Sequence, residues 1–287
     1  MQLTSENYHS LEADAEFMSV HQFQSWLTCP AREAARQRGD YEPPSKRAFI
    51  LGSYVDAALT EPSEVFEAFK DEHADDLFKK NGTPYAEIAQ ADAMIATLRK
   101  QPEATYLLGH RGNGETQVIV TGEIDGVAWK GKIDVLLADD ALFVDLKTAA
   151  SFYRWIEVVD PAKGLRNQKV AWYEVYNYWR QISVYAELLR QSRGVDATGV
   201  ILGVTKEDPP DADVWLFENT TRLDSELRQI GYLLPEVLEW KEADAPRCGH
   251  CDWCRRTKTL AIHTAKNEVA LRALPRWYRD RQIGGEA

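Results

Sequence analysis

The sequence predicts a mixed α/β fold in which helices flank a central mixed β-sheet that contains an antiparallel meander. Two observations predict it: apolar residues recur at helical spacing before residue 110 and after residue 172, and β-forming residues dominate between residues 115 and 148. The 287 residues are 44% hydrophobic and 28% charged, which is enough to bury a core. No internal repeat or linker is evident, so we expect one domain over residues 1–287 with a core at about 46–220.

The first part of the chain is predicted to be helical. Helices are expected over Ser19–Arg38, Lys46–Leu59 and residues 63–110. Cys29-Pro30 interrupts the first of these helices, and Glu61-Pro62 ends the second, because proline disfavours helical backbone in the residue before it.

The remaining elements alternate between segments with the residue pattern of strands and segments with the apolar spacing of helices. Strands are expected at Gln117–Thr121, Val127–Leu137, Ala141–Thr148, Gly199–Thr205 and Asp213–Glu218, and helices at Trp172–Arg190 and Thr221–Trp240. The polar segment Asp160–Lys169 is interpreted as a loop on the substrate side of the site.

Charge and targeting signals restrict the function only weakly. The net charge of −11 does not indicate a nucleic-acid binder, although phosphate contacts need only a local basic groove. There is no apolar run of membrane-spanning length and no secretory signal after Met1. We therefore expect a cytoplasmic protein without membrane contact.

The segment from Lys130 to Lys147 carries the most informative pattern. If Asp139 and Asp140 form a hairpin turn, Ile133 lies opposite Leu146, Val135 opposite Val144 and Leu137 opposite Leu142, which gives one apolar face. The other face then holds Asp134 opposite Asp145, with Lys147 beside them.

Opposed carboxylates destabilise a sheet unless a cation lies between them. The Cβ atoms of such a pair are about 5 Å apart, and oxygen ligands of this type suit Mg²⁺ or Mn²⁺. Lys147 is placed to hold the attacking water or to stabilise developing negative charge. The alternative is that all three are solvated residues on the outer face of a hairpin.

These residues resemble the D…(D/E)XK signature of the PD-(D/E)XK nucleases. Asp134 and Asp145-Leu146-Lys147 match it, whereas Ile133 replaces the proline of the motif. Downstream, Gln181 and Tyr185 resemble the Gln-x-x-x-Tyr helix of the RecB-like branch, and their spacing places both on one helical face. The resemblance implies that this helix lies beside the metal site and orients the substrate strand.

A further resemblance is to RecE-like phage exonucleases. Gly52 to Asp56 is similar to their Gly-x-x-x-His helix, with Asp56 in the place of a metal-binding histidine, and Glu115 resembles an acidic residue of the same group. The resemblance implies that Asp56, Asp134, Asp145, Glu115 and the Leu146 carbonyl bind metal. It also implies 5′ to 3′ resection of duplex DNA ends in phage-type recombination, a single-strand annealing partner and a ring-like homo-oligomer.

Four cysteines indicate a second metal site. Cys248, Cys251 and Cys254 form a C-x₂-C-x₂-C run, and Cys29-Pro30 supplies a distant fourth thiolate, as in bacterial ferredoxins. The arrangement also resembles the 4Fe–4S nucleases, namely the AddB subunit and the CRISPR-adaptation nucleases. We expect a structural 4Fe–4S cluster that joins segments 19–40 and 241–265, with Zn²⁺ as the alternative and His250 as a substitute ligand.

Basic residues near these motifs are candidates for phosphate contacts. They are Lys46, Arg47, Lys132, Arg166, Lys169 and Arg180. The sequence thus predicts a metal-dependent DNA exonuclease. The alternative is an inactive nuclease-derived protein that binds DNA or a partner and carries iron–sulfur or zinc.

Overall fold

The computed structural model describes residues 1–43, 47–160 and 164–259, without the side chains of residues 47–49, 157–160 and 164–166. Its helices are α1 (Leu11–Glu16), α2 (Val20–Thr28), α3 (Pro30–Gln37), α4 (Arg47–Thr60), α5 (Ser63–Glu72), α6 (Ala74–Leu77), α7 (Ala86–Arg99), α8 (Pro102–Leu107), α9 (Trp172–Val175), α10 (Tyr178–Arg193), α11 (Thr220–Glu242) and α12 (Asp252–Arg256). Across these ranges, no helix is both long and apolar enough to cross a bilayer.

The strands form one mixed sheet and one separate hairpin. They are β1 (Glu115–Ile124), β2 (Val127–Leu137), β3 (Leu142–Ala149), β4 (Tyr153–Asp160), β5 (Gly164–Ala171), β6 (Thr198–Thr205) and β7 (Ala212–Phe217). The sheet has the order β1-β2-β3-β6-β7, and β4 pairs only with β5 within the described residues. Because β3 and β6 are parallel while β2–β3 and β6–β7 are antiparallel, the predicted mixed α/β class is confirmed.

The β2–β3 hairpin has the predicted register. Val135 pairs with Val144 and Leu137 with Leu142. The connection is a short 3₁₀ turn at Ala138–Asp140, followed by Ala141 in the left-handed conformation at φ 53°. The pattern of alternating apolar residues was therefore sufficient to specify how these two strands align.

Helices cover both faces of the sheet. On one face, side chains of β2, β3 and β6 share a buried cluster with α4 and α7. On the other face, α10 packs on β6 so closely that a Cβ atom on Gly199 would lie 2.3 Å from Ile182. The sheet is thus buried on both sides, as parallel pairing generally requires.

The breaks between helices have local causes. Ser19 and Gln22 form a capping box that begins α2. Pro30 begins α3, since its missing N–H needs no partner in the first helical turn, and this places Cys29 at the junction of the two helices. Asn177, left-handed at φ 56°, separates α9 from α10. The single helix predicted over Trp172–Arg190 was therefore wrong.

Other elements differ from the predictions. The segment Asp160–Lys169, interpreted as a loop, includes the end of β4 and most of β5, which pair along their length. Strand β4 and helices α1 and α12 were not predicted.

The chain divides into two compact units. One consists of the described parts of residues 1–44, 124–129 and 228–287, and the other of those of residues 45–123 and 130–227. The larger unit contains most of the central sheet and the β4–β5 hairpin, and the smaller unit contains Ile124–Trp129 and all four cysteines.

Candidate functional site

Asp145 lies at the centre of the candidate active site, on β3. Its side chain is only 2% exposed. Gln181 on α10 donates a hydrogen bond from Nε2 to Asp145 Oδ1 at 2.7 Å. The Lys147 ammonium forms an ion pair with Asp145 Oδ2, an oxygen that accepts no hydrogen bond of ordinary geometry. The carboxylate is therefore fixed on one side by an amide and faces a charged group on the other.

Asp134, on β2, supplies a second and half-buried carboxylate. Its Oδ2 accepts a hydrogen bond from the backbone N–H of Leu146 at 2.7 Å. Burial raises the pKa of Asp134 well above its usual range, and the neighbouring charges of Asp56 and Asp145 raise it further. The structure thus brings the two predicted acidic residues of the hairpin together, with mutual repulsion that a divalent cation would offset.

Asp56 adds a third half-buried carboxylate from α4. Its oxygens accept hydrogen bonds from the Thr60 hydroxyl at 3.2 Å and from Gln117 Nε2 at 3.3 Å. Burial raises the pKa of Asp56, although Lys147 and Thr60 oppose that shift. Helix α4 packs against β3, which carries Asp56 to the same site as the hairpin residues.

Gln117 was not predicted as a site residue. It lies within β1 at φ 54°, a left-handed conformation that is uncommon for a residue with a Cβ atom. Its amide contacts both Asp56 and, at 2.8 Å, the Thr60 hydroxyl. Backbone strain of this kind persists where surrounding contacts fix it, and here it holds a donor on a candidate ligand.

Lys147 is half-buried between the carboxylates and an aromatic ring. Burial disfavours its charged form, but Asp145 and Asp134 outweigh that effect, so the pKa of Lys147 is raised. Its Nζ lies 5.6 Å from the centre of the Tyr178 ring, a distance within cation–π range. Lys147 therefore stays an ammonium at neutral pH, which suits a role in stabilising negative charge better than a role as a base.

Tyr185 is a buried residue that contacts other residues of the site. Its side chain is buried and interacts with the Gln181 side chain and the Lys132 backbone. The ring lies against β2, where a Cβ atom on Gly131 would come within 3.0 Å of it. Since Tyr185 contacts Gln181, which holds Asp145, it acts as a positioning residue.

Several predicted site residues lie elsewhere. Glu115 is exposed and pairs with Arg193 at 3.4 Å, so the structure does not bring it to the three aspartates. Arg180 is buried and pairs with Glu226 at 3.4 Å, which leaves it little exposed surface for phosphate.

Of the other basic candidates, two are described in full. Lys132 is half-buried and acts electrostatically on Asp56 and Glu61. Lys169 is exposed, with Nζ 4.1 Å from the centre of the Tyr153 ring. Lys46 and the side chains of Arg47 and Arg166 lie outside the described residues.

The four cysteines converge in the smaller unit. Their sulfurs all lie within 4.8 Å of one another. The Cys29 sulfur is 3.6 Å from those of Cys251 and Cys254, and the Cys248 sulfur is 3.9 Å from that of Cys254. His250 is exposed and its ring contacts the Cys248 carbonyl, so it does not join the sulfurs. The predicted four-thiolate set, which can bind a metal, is present.

Backbone N–H groups favour one thiolate of this site, whereas burial raises the pKa of Cys29 and Cys251. The N–H groups of Cys251 and Cys254 donate to the sulfurs three residues earlier, at 3.3 and 3.4 Å. Burial opposes ionisation of Cys248, but backbone N–H groups of His250 and Cys251 lower its pKa to about 6. Away from the sulfurs, Tyr41 donates to Asp252 at 2.5 Å, which ties the start of α12 to the segment after α3.

A family model and a solved structure are similar to this chain over most of its length. A family model described as a PDDEXK-like domain of unknown function (DUF3799) matches residues 19–257. The crystal structure of a candidate exonuclease from Eubacterium rectale is similar at 30% identity and a TM-score of 0.80, covering 92% of this chain and 97% of that one. Another solved structure, of SSO0001, is 14% identical over 71% of this chain and 84% of that one, with a TM-score of 0.25. No curated protein matches.

Proposed function

The chain belongs to the family of PDDEXK-like domains (DUF3799), and from this membership we propose that it is a metal-dependent DNA exonuclease. A nuclease function at the coarser level is supported by the family and by the similarity to the E. rectale protein. The single observation that carries the proposal is the buried Asp145 carboxylate, which pairs with the Lys147 ammonium and is held by Gln181, while the charges of Asp56 and Asp134 act on the same pair.

The residues fit a hard divalent cation. Asp134 and Asp56 have raised pKa values because burial and like charge disfavour three neighbouring carboxylates, and oxygen donors of this kind suit Mg²⁺ or Mn²⁺. We infer that Asp56, Asp134, Asp145 and the Leu146 carbonyl would hold the ion, whose chemistry is to activate water and to neutralise charge on the phosphate. Glu115 is not included, since it faces Arg193.

Three side chains of the protein would assist the metal ion. The Lys147 ammonium neutralises charge that develops on the phosphate oxygens. Gln181 keeps Asp145 in its ligand orientation through the 2.7 Å hydrogen bond, and Tyr185 keeps Gln181 in place. Such supporting contacts matter because small displacements of a ligand reduce activity strongly.

The finer parts of the proposal rest on resemblance. Action at DNA ends is supported by the description of the E. rectale protein as a candidate exonuclease. The 5′ to 3′ polarity, the recombination role, the annealing partner and the ring-like oligomer follow only from the RecE-like motif at Gly52 to Asp56.

For the cysteines, we infer a single structural zinc ion. Four sulfurs within 4.8 Å of one another share a centre no more than about 2.9 Å from each, which suits one ion with bonds of about 2.3 Å. A 4Fe–4S cluster fits these positions less well, because each thiolate binds a separate iron. Irons placed about 2.3 Å from the sulfurs, on the lines to the common centre, would all lie within about 0.6 Å of it and would overlap. Zinc, the alternative that the sequence left open, is therefore favoured.

Two measurements test the metal assignment. Elemental analysis of purified protein is expected to give one zinc per chain and a colourless solution, and Cys251→Ser is expected to lose that zinc. A brown protein with about four irons per chain, lost in the same variant, would refute it.

A nuclease assay tests the active site. End-labelled duplex DNA with Mn²⁺ is expected to lose terminal nucleotides, and Asp145→Asn or Lys147→Ala is expected to reduce the rate by about 100-fold or more. Asp213→Asn on β7 and Lys80→Ala are matched controls, since both residues are exposed. Equal rates in Asp145→Asn and wild type would exclude the site. Single-stranded DNA and RNA in parallel arms define the substrate.

A further inference from the structure

The β4–β5 hairpin presents an aromatic and basic face to solvent. Tyr153 is 57% exposed and Trp155 69% exposed, whereas Trp26, Trp129 and Trp172 are fully buried. Trp155 pairs with Lys169 across the hairpin, so these residues share a face with Tyr153, two positions away on the same strand. The Lys169 ammonium lies 4.1 Å from the centre of the Tyr153 ring. Two rings and a cation therefore form one continuous exposed surface.

The base of this hairpin is anchored in a buried aromatic cluster. Trp172, directly after β5, donates its backbone N–H to the carbonyl of Phe152, directly before β4, at 3.0 Å. The Phe152 and Trp172 rings are 5.6 Å apart, and both contact Trp215. The hairpin is thus held firmly at its base although its outer face is exposed.

The same cluster reaches the candidate active site. The Trp172 ring lies 5.1 Å from that of Tyr178, and the Tyr178 ring lies 5.6 Å from the Lys147 ammonium. A second connection runs through Arg154, which donates to the Tyr176 hydroxyl at 2.9 Å, and Tyr176 contacts Tyr178. Two routes of direct contact therefore link the hairpin to the group beside the proposed reacting phosphate.

We propose that this face binds unpaired nucleotides next to the active site, with bases stacked on Trp155 and Tyr153 and a phosphate held by Lys169. The inference rests on the proposed nuclease function and adds the form of its substrate. Exposed rings interleaved with cations match a single strand, which offers base faces and negative charge together. A duplex hides its base faces, so these rings have no equivalent contact with it.

Binding without cleavage tests the proposal. Fluorescence anisotropy of a labelled 12-nucleotide single-stranded DNA, with Ca²⁺ in place of Mn²⁺, is expected to show binding about 5- to 100-fold weaker for Trp155→Ala than for wild type. Trp155→Phe is expected to bind within about threefold of wild type, since a stacking ring remains. Tyr232→Ala, which removes a ring that is 77% exposed on α11, is the matched control and should not change binding.

An oligonucleotide of abasic sites separates stacking from charge. It should bind wild type and Trp155→Ala equally, whereas Lys169→Ala should weaken its binding. Unchanged binding of the normal oligonucleotide by Trp155→Ala, or no binding by wild type, would overturn the proposal and leave the rings as a surface for a protein. Cleavage of the same oligonucleotide with Mn²⁺ reports on the nuclease separately: binding through Trp155 without cleavage would refute the nuclease and retain the surface.

Discussion

The two candidate metal sites of this protein differ in their donor atoms and in how the protein supports the ionised ligands. The carboxylate site draws oxygen donors from a helix and two strands of the larger unit, and its half-buried Asp56 and Asp134 have pKa values raised by burial and like charge. The cysteine site draws four sulfurs from two distant parts of the chain, and backbone N–H groups favour the Cys248 thiolate. Burial also raises the pKa of Cys29 and Cys251, so the cysteine site differs in the backbone N–H groups that offset burial at Cys248.

The difference reflects what each ion must do. A catalytic ion has to keep positions open for water and substrate, so the protein supplies only some ligands and tolerates the repulsion between them. A structural ion is enclosed by four protein ligands and contributes to folding. We therefore expect substitutions at the two sites to affect stability in different directions.

The largest effect is expected from Cys254→Ser. Loss of one thiolate should lower the free energy of unfolding by several kcal/mol, because structural zinc binding contributes directly to folding. Urea unfolding measures this, and His250→Ala is the control, since its exposed ring lies outside the sulfur set. Hydrolysis per folded molecule should stay within about twofold of wild type. A variant of full stability that cannot hydrolyse DNA would assign the cysteines to the reaction.

Asp134→Asn is expected to reduce activity without reducing stability. Hydrolysis is expected to fall about 100-fold, because a metal ligand is lost. Since the folded-state pKa of Asp134 is raised, its ionisation costs stability as pH rises through that pKa, so the neutral amide should leave stability at pH 8 unchanged or higher. Urea unfolding at pH 8 checks this against Asp213→Asn. Strong destabilisation would mean that the carboxylate serves the fold.

Metal affinity of the carboxylate site should depend on pH. A cation must displace protons from Asp56 and Asp134, whose pKa values are raised, so Mn²⁺ binding should weaken as pH falls, by up to about tenfold per pH unit for each proton displaced. Titration calorimetry between pH 8 and pH 5.5 measures the slope. Asp56→Asn should make the slope shallower, and a slope unchanged in that variant would remove Asp56 from the ligand set.

The smallest effect is expected from Glu115→Ala. An exposed ion pair such as Glu115–Arg193 contributes about 0–1 kcal/mol, and Glu115 contacts none of the three aspartates in the structure. Hydrolysis rate and stability should both remain close to those of wild type, with Arg193→Ala as the paired control. A large loss of activity in Glu115→Ala alone would restore it as a ligand.

The sequence predicted the structure correctly where residues recur at the regular spacing of a strand or a helix. The alternation of Ile133, Val135 and Leu137 specified the hairpin register, because a shift of one residue would bury Asp134 with the core residues. The i, i+4 spacing of Gln181 and Tyr185 likewise predicted two side chains on one helical face. Both residues lie beside Asp145 or its contacts.

Other features depend on contacts that a linear pattern does not contain. The left-handed backbone of Gln117 goes against the preferences of its residue type, and its role needs Asp56 from another element. Arg180 was predicted to contact phosphate. Its partner Glu226 is buried and distant in the sequence, so the sequence alone does not reveal that the two residues form an ion pair. Trp155 was not predicted as a binding residue, because its exposure depends on the β4–β5 hairpin, which the sequence did not predict.

The position of Cys29 has a consequence during synthesis. Cys29 and Cys254 are separated by 225 residues, and at about 5–20 residues per second the ribosome needs roughly 10–45 s to make that length. For most of this interval the nascent chain carries Cys29 without the other three cysteines. The four-cysteine site, and with it the final folding of the cysteine-containing unit, must therefore wait until Cys254 has been made.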